Sequence, residues 1–136
     1  MFEAYNAVET DYVLDDIVEF NNIRFRDCRV RVTNGSTMTI NTPGRYYVHF
    51  GGVGSSATAA SPFAVQLFVN DVAVPAVRSE ITSTAVDDPQ TLSFSTIVNV
   101  MPSSCYINNE VNLQVRVTSA DPGTIYNANI VIFRLK

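Results

Sequence analysis

The chain has 136 residues, 46% of them apolar and only 16% charged, with a formal net charge of -4. That length suits one domain spanning residues 1–136, able to bury its own core without a disulfide or metal. The acidic balance argues against nucleic-acid binding, which rests on phosphate neutralisation, and no apolar stretch approaches the ~20 residues of a membrane-spanning helix.

No segment sustains a helical period; Asp11 to Phe20 comes nearest, but it is rich in β-branched residues and lacks a cap. Phe2 to Val8 reads as a first strand, followed by Ile17 to Phe20 and Ile23 to Val32. Asn34-Gly35 is a hairpin signal, because both residues tolerate the positive φ of a primed turn. Met38 to Asn41, a Pro43-Gly44 corner and a strand over Tyr46 to Phe50 come next. Gly51 to Ser61 reads as a flexible loop rich in Gly, Ser and Ala. Phe63 to Val69 alternates, Asn70-Asp71 turns the chain, and Val72 to Val77 returns. Thr82 to Gln90 is a polar loop. Leu92 to Val100 and Val111 to Val117 alternate on either side of a break at Pro102 to Ser104. Asp121-Pro122-Gly123 turns into a last strand, Ala128 to Leu135. About eight to ten short strands at this spacing predict an all-β antiparallel sandwich or barrel.

Two strands depart from in/out alternation. Tyr46-Tyr47-Val48 and Ile130-Val131-Ile132-Phe133 are apolar on both faces, so both faces must be covered. A sandwich covers one; a symmetric neighbour covers the other most economically. The residues expected at that interface are Tyr47, His49, Val131 and Phe133. A register error of one residue exchanges them for Tyr46, Val48, Ile130 and Ile132.

Groups able to do chemistry are few. His49 is the only histidine, so any Ser-His-Asp or Cys-His site must use it. Its place in mid-strand, sharing a face with Tyr47, reads as structural. No zinc spacing or phosphate-binding glycine loop occurs. No cofactor is expected, and the pairs Asp15-Asp16 and Asp87-Asp88 read as solvated loop charges, with calcium ligation as the alternative. Cys28 and Cys105 read as buried free thiols, with one bridge between them as the alternative. Arg24, Arg26, Arg29 and Arg31 form the densest charge cluster. On one continuous strand Arg24 and Arg26 share a face and Arg29 and Arg31 the other. They suit either intersubunit pairing with Asp15, Asp16 or Glu19, or an anionic partner such as a carboxylate-rich glycan, a phosphate or acidic protein residues.

The order and spacing resemble the globular head of the first complement component and its tumour-necrosis-factor-like relatives, including bacterial and phage versions. Met38 to Phe50 is similar to their central strand followed by Pro-Gly-x-Tyr-Tyr-apolar-x-aromatic. Phe2 to Ala7 resembles the opening strand, Val18-Glu19-Phe20-Asn21-Asn22 an apolar-Phe-Asn segment, Val65 to Asp71 the strand ending in Asn-Gly, and Ile130 to Leu135 the closing strand near the subunit interface. Leu92 to Val100 with Glu110 to Leu113 matches the strand pair around a Gly-Asp-x-Val turn, with Asn109-Glu110 replacing Gly-Asp. The resemblance implies a ten-stranded jelly-roll protomer, a compact homotrimer and a non-enzymatic role in recognition, adhesion or capping of a larger particle.

The first residues carry no basic segment followed by an apolar run, so no secretory signal is read. The expectation is a structural module on a virion or particle surface, decorating a capsid or tipping a fibre and contacting a host-surface glycan or protein. The alternatives are a bacterial cell-surface or spore-coat head, and a lectin-like module in which Tyr106 and Tyr126 stack on sugars.

Overall fold

The computed structural model describes residues 1–85, 88–102 and 109–135. Among them lie eleven strands and no helix: β1 (Phe2–Asn6), β2 (Thr10–Tyr12), β3 (Asn22–Phe25), β4 (Val30–Thr33), β5 (Thr37–Ile40), β6 (Gly44–Ser56), β7 (Pro62–Val69), β8 (Val72–Thr82), β9 (Gln90–Val100), β10 (Val111–Val117) and β11 (Gly123–Leu135). All pairings are antiparallel. One sheet runs β3-β1-β11-β6-β9, with β2 on the far half of β11; the other runs β4-β5-β10-β7-β8. The sandwich expected from the alternation is therefore present. Asp87, Cys105, Tyr106 and the break at 103–104 lie outside the described residues.

The two hairpin signals act as their chemistry requires. Asn34 and Gly35 take φ of 56° and 67°, and Asn70 and Asp71 take 51° and 65°. The second is a two-residue turn, since Val69 and Val72 are directly paired.

Several segments differ from the sequence reading; β2 lies where no strand is expected, and β11 begins at Gly123 instead of Ala128. Ile23 to Val32 is not one strand: β3 ends at Phe25, and β4 begins at Val30 in the opposite sheet. Asp27 makes the corner, its Oδ1 accepting the Arg29 amide at 3.0 Å and its carbonyl accepting the Val30 amide at 3.0 Å. Gly51 to Ser56 is not a loop but the second half of β6. There β11 bulges between Ile125 and Asn127, and its backbone comes so close that a Cβ on Gly52 would lie 2.7 Å from the Asn127 carbonyl oxygen. Glycine lets the long strand continue there. The strand opening at Val72 continues to Thr82 through an irregular pairing near Pro75 and Ala76, the latter at φ 66°. A proline and a bulge on an edge strand interrupt the pairing row that another chain would use. Asp11 to Phe20 holds no helix, as read, but Ile17 to Phe20 is not a strand: the segment contributes the end of β2, a turn at Asp15, and a run beside β10 in which Ile17 bridges Arg116 and Val18 donates its amide to the Val115 carbonyl at 2.7 Å.

The core lies between the sheets. Phe2, Phe20, Tyr46, Phe50, Phe63, Leu67, Leu113, Ile130 and Ile132 are fully buried there. Phe20 meets Phe50 edge-on at 6.1 Å, and Phe50 stacks on Phe94 at 5.1 Å, geometries that favour aromatic quadrupoles. Tyr46 buries its ring and still donates its hydroxyl to the Thr42 carbonyl at 2.7 Å.

Candidate functional site

Strands β6 and β11 lie at the middle of the first sheet, and their register decides which residues face out. Tyr46, Val48 and Phe50 alternate into the core, as do Ile130 and Ile132. Tyr47, His49, Val131 and Phe133 therefore share the outer face and are half-buried. His49 is paired with Val131 and Tyr47 with Phe133, whose rings lie 5.0 Å apart. Ile97 on β9 stands opposite Tyr47 and remains 47% exposed. Phe25 on β3, paired with Glu3, is 49% exposed. The outer face thus carries a row of apolar and aromatic side chains across several adjacent strands, without cover from the rest of the described chain.

One acid interrupts that face. Glu3, paired with Val131, is 9% exposed and accepts a hydrogen bond from Arg24 at 3.3 Å. The Arg24 guanidinium also lies 4.8 Å from the centre of the Tyr5 ring. Sequence reasoning missed Glu3 because a lone carboxylate on an edge strand carries no pattern. The only available signal was its alternation with Phe2 and Ala4.

The four clustered arginines are separated by the corner at Asp27. Arg24 stays with β3 and pairs with Glu3; Arg29 pairs with Asp27 at 3.1 Å; Arg31 on β4 lies 3.9 Å from Glu110. Arg26 has no ion pair among the described residues. The two-face arrangement read from a continuous strand does not occur, because no continuous strand exists there. Burial alone would raise the Asp27 carboxyl. The Arg29 amide, the Met1 ammonium at 3.2 Å and the Arg29 guanidinium outweigh it and hold the group below its ordinary value.

The remaining expected groups lie apart. Cys28 is a free thiol and is exposed, not buried, because the corner turns it outward. Asp16 accepts the Val13 amide at 2.9 Å across a turn in which Asp15 adopts φ 72°. Asp88 accepts a hydrogen bond from Thr84 at 3.3 Å. Tyr126 shares a hydrogen bond with Ser55 at 2.9 Å. Among the described residues no three histidine, cysteine or carboxylate side chains converge as a metal site.

No family model matches the chain, and no curated protein is similar to it in sequence. Its fold is similar to that of the Eiger tumour necrosis factor from S. frugiperda, with a TM-score of 0.74 over 99% of this chain and 93% of that one, at 13% identity. Likeness at that identity speaks to architecture alone, and the architecture is a tumour-necrosis-factor-like jelly roll.

Proposed function

We propose that the chain is a non-enzymatic module that assembles as a homotrimer through the outer face of the β3-β1-β11-β6-β9 sheet. The observation that carries this reading is the outward apolar row of half-buried Tyr47, Val131 and Phe133 with exposed Ile97 on β6, β11 and β9. Monomeric proteins seldom leave a contiguous apolar patch of this kind open, and a symmetric copy is its natural cover. A tumour-necrosis-factor-like fold is commonly trimeric, which agrees with that cover. His49 lies within the patch, at the proposed threefold axis.

The trimer decorates a larger particle, and the bacteriophage virion is the setting we favour, as a capsid decoration or fibre head that mediates attachment. The low charged fraction of 16% supports a chain that works packed against other protein. The test is co-sedimentation of the tagged protein with purified particles. Enrichment at a fixed copy number in multiples of three supports the assignment, and absence from the particles removes it.

A further inference from the structure

The strand registers bring five of the eight arginines to one end of the sandwich. Arg26, Arg29 and Arg31 come from the corner between β3 and β4 and the start of β4, Arg45 from the start of β6, and Arg134 from the end of β11. Arg45 is paired with Leu135, and the Asn41 amide donates to the Arg29 carbonyl, which joins these segments into a single surface. The opposite end is acidic: Glu9, Asp11, Asp15, Asp16, Asp88 and Asp121 lie on β2 and in the loops there. An acidic chain thus concentrates its positive charge at one pole.

The basic end also differs in how its charges are met. Arg24, Arg78 and Arg116, elsewhere on the molecule, each have a carboxylate within 3.3 Å. At the basic end Arg29 meets Asp27 at 3.1 Å and Arg31 lies 3.9 Å from Glu110, but Arg26, Arg45 and Arg134 have no carboxylate within 4.0 Å among the described residues, and all three are exposed. Three adjoining depressions run between them. One of about 490 Å³ is bordered by Arg26 and Arg31, with Ile23, Val30 and Val32 on its wall. The next, about 480 Å³, shares Asp27 with the first and is bordered by Arg29 and Arg134. The third, about 340 Å³, shares Arg134 and adds Arg45 beside Val100 and Met101.

We propose that this end binds a linear anionic polysaccharide, whose carboxylate or sulfate groups are taken in succession by the arginines bordering the three depressions. Guanidinium forks donate paired hydrogen bonds to such oxyanions, and the apolar walls suit the C–H faces of sugar rings. The first depression lies beside the edge strands β3 and β4, but the second and third cross the ends of β6 and β11, so a peptide following the whole track gains no continuous ladder of backbone hydrogen bonds. Single-stranded nucleic acid needs aromatic shelves for its bases; the aromatic ring beside Arg134, Phe133, already packs on Tyr47. The site extends the attachment reading but does not rest on the trimer.

The experiment measures binding of the purified protein to immobilised polygalacturonate, which carries carboxylates, and heparin, which also carries sulfates. Poly-glutamate and single-stranded DNA are the comparators. Binding to at least one polysaccharide is expected, weakening about tenfold or more between about 50 and about 300 mM NaCl as the contacts are screened. R26E and R134E each weaken it about tenfold or more, and R78E on the other sheet leaves it unchanged. R26Q and R134Q repeat the test should a charge reversal disturb folding, and weaken it in the same order. Absence of binding to both polysaccharides, unchanged binding in the Arg26 and Arg134 variants, or tighter binding of poly-glutamate or DNA overturns the proposal. The mass of each sample is read in parallel. If assembly is absent while the arginine effects persist, only the trimer reading fails; if the arginine effects are absent while the mass stays trimeric, only this site fails.

Discussion

Asp27 ties the corner between the two sheets to the N-terminus, with its side chain only 6% exposed and both oxygens hydrogen-bonded. Asp27→Asn removes the charge from those bonds and is expected to cost about 1–3 kcal/mol in urea unfolding. Because the folded carboxyl titrates below its ordinary value of 3.8, its contribution is complete above that pH and is lost as pH falls through the folded value. The wild type should therefore lose stability below about pH 4 more steeply than the Asn variant, in parallel acid titrations of the unfolding midpoint. Tyr46 works differently, since burial raises its hydroxyl above 10.0 against the opposing influence of Arg134. Tyr46→Phe keeps the ring and deletes the bond to Thr42, so it should cost about 1 kcal/mol, against about 3–5 for Tyr46→Ala. At this scale the outward set Tyr47, His49, Val131 and Phe133 was readable, because strand period fixes parity. Which parity faced out depended on sheet stacking, and that is a tertiary fact. The ion pairs of Arg24 with Glu3 and Arg29 with Asp27 were not readable, since an aspartate that turns the chain looks like any other charge.

The strands were legible wherever turn chemistry was explicit, as at Asn34-Gly35 and Asn70-Asp71, and illegible where a neighbour decided the outcome. Gly51 to Ser56 carries the composition of a loop. It becomes strand because β11 bulges against it and leaves room for backbone only at Gly52. Gly52→Ala should therefore destabilise the fold by about 1–3 kcal/mol, the cost of an added methyl in a filled space. Hydrogen exchange should show the loss concentrated in the β6–β11 ladder around Asn127 and Ala128. An effect below a few tenths of a kcal/mol, the scale of an ordinary surface change, would mean that the two strands separate there without penalty.

At the scale of the molecule, two surfaces of one sandwich adjoin at Phe133, which lies on the apolar face and borders the second basic depression. The outer face of the first sheet is largely apolar and half-buried, interrupted by Glu3, and one end is basic in an otherwise acidic chain. In a threefold assembly through that face all three basic ends point the same way, so a weak contact at each is multiplied in the trimer. The low charged fraction hinted at a hidden surface, but only the register of β6 against β11 and β9 located it. Val131→Asp places a charge in the middle of the face and should convert the assembly to monomers without unfolding the core, since Val131 lies outside it.

The most direct test is the mass of the wild-type protein in solution, by light scattering across a wide concentration range. A stable species of about three times the 15.0 kDa chain mass is expected, and about one chain mass for Val131→Asp. A wild-type protein that stays monomeric at every concentration would contradict it, because Tyr47, Val131 and Phe133 would then be stable against water without a partner.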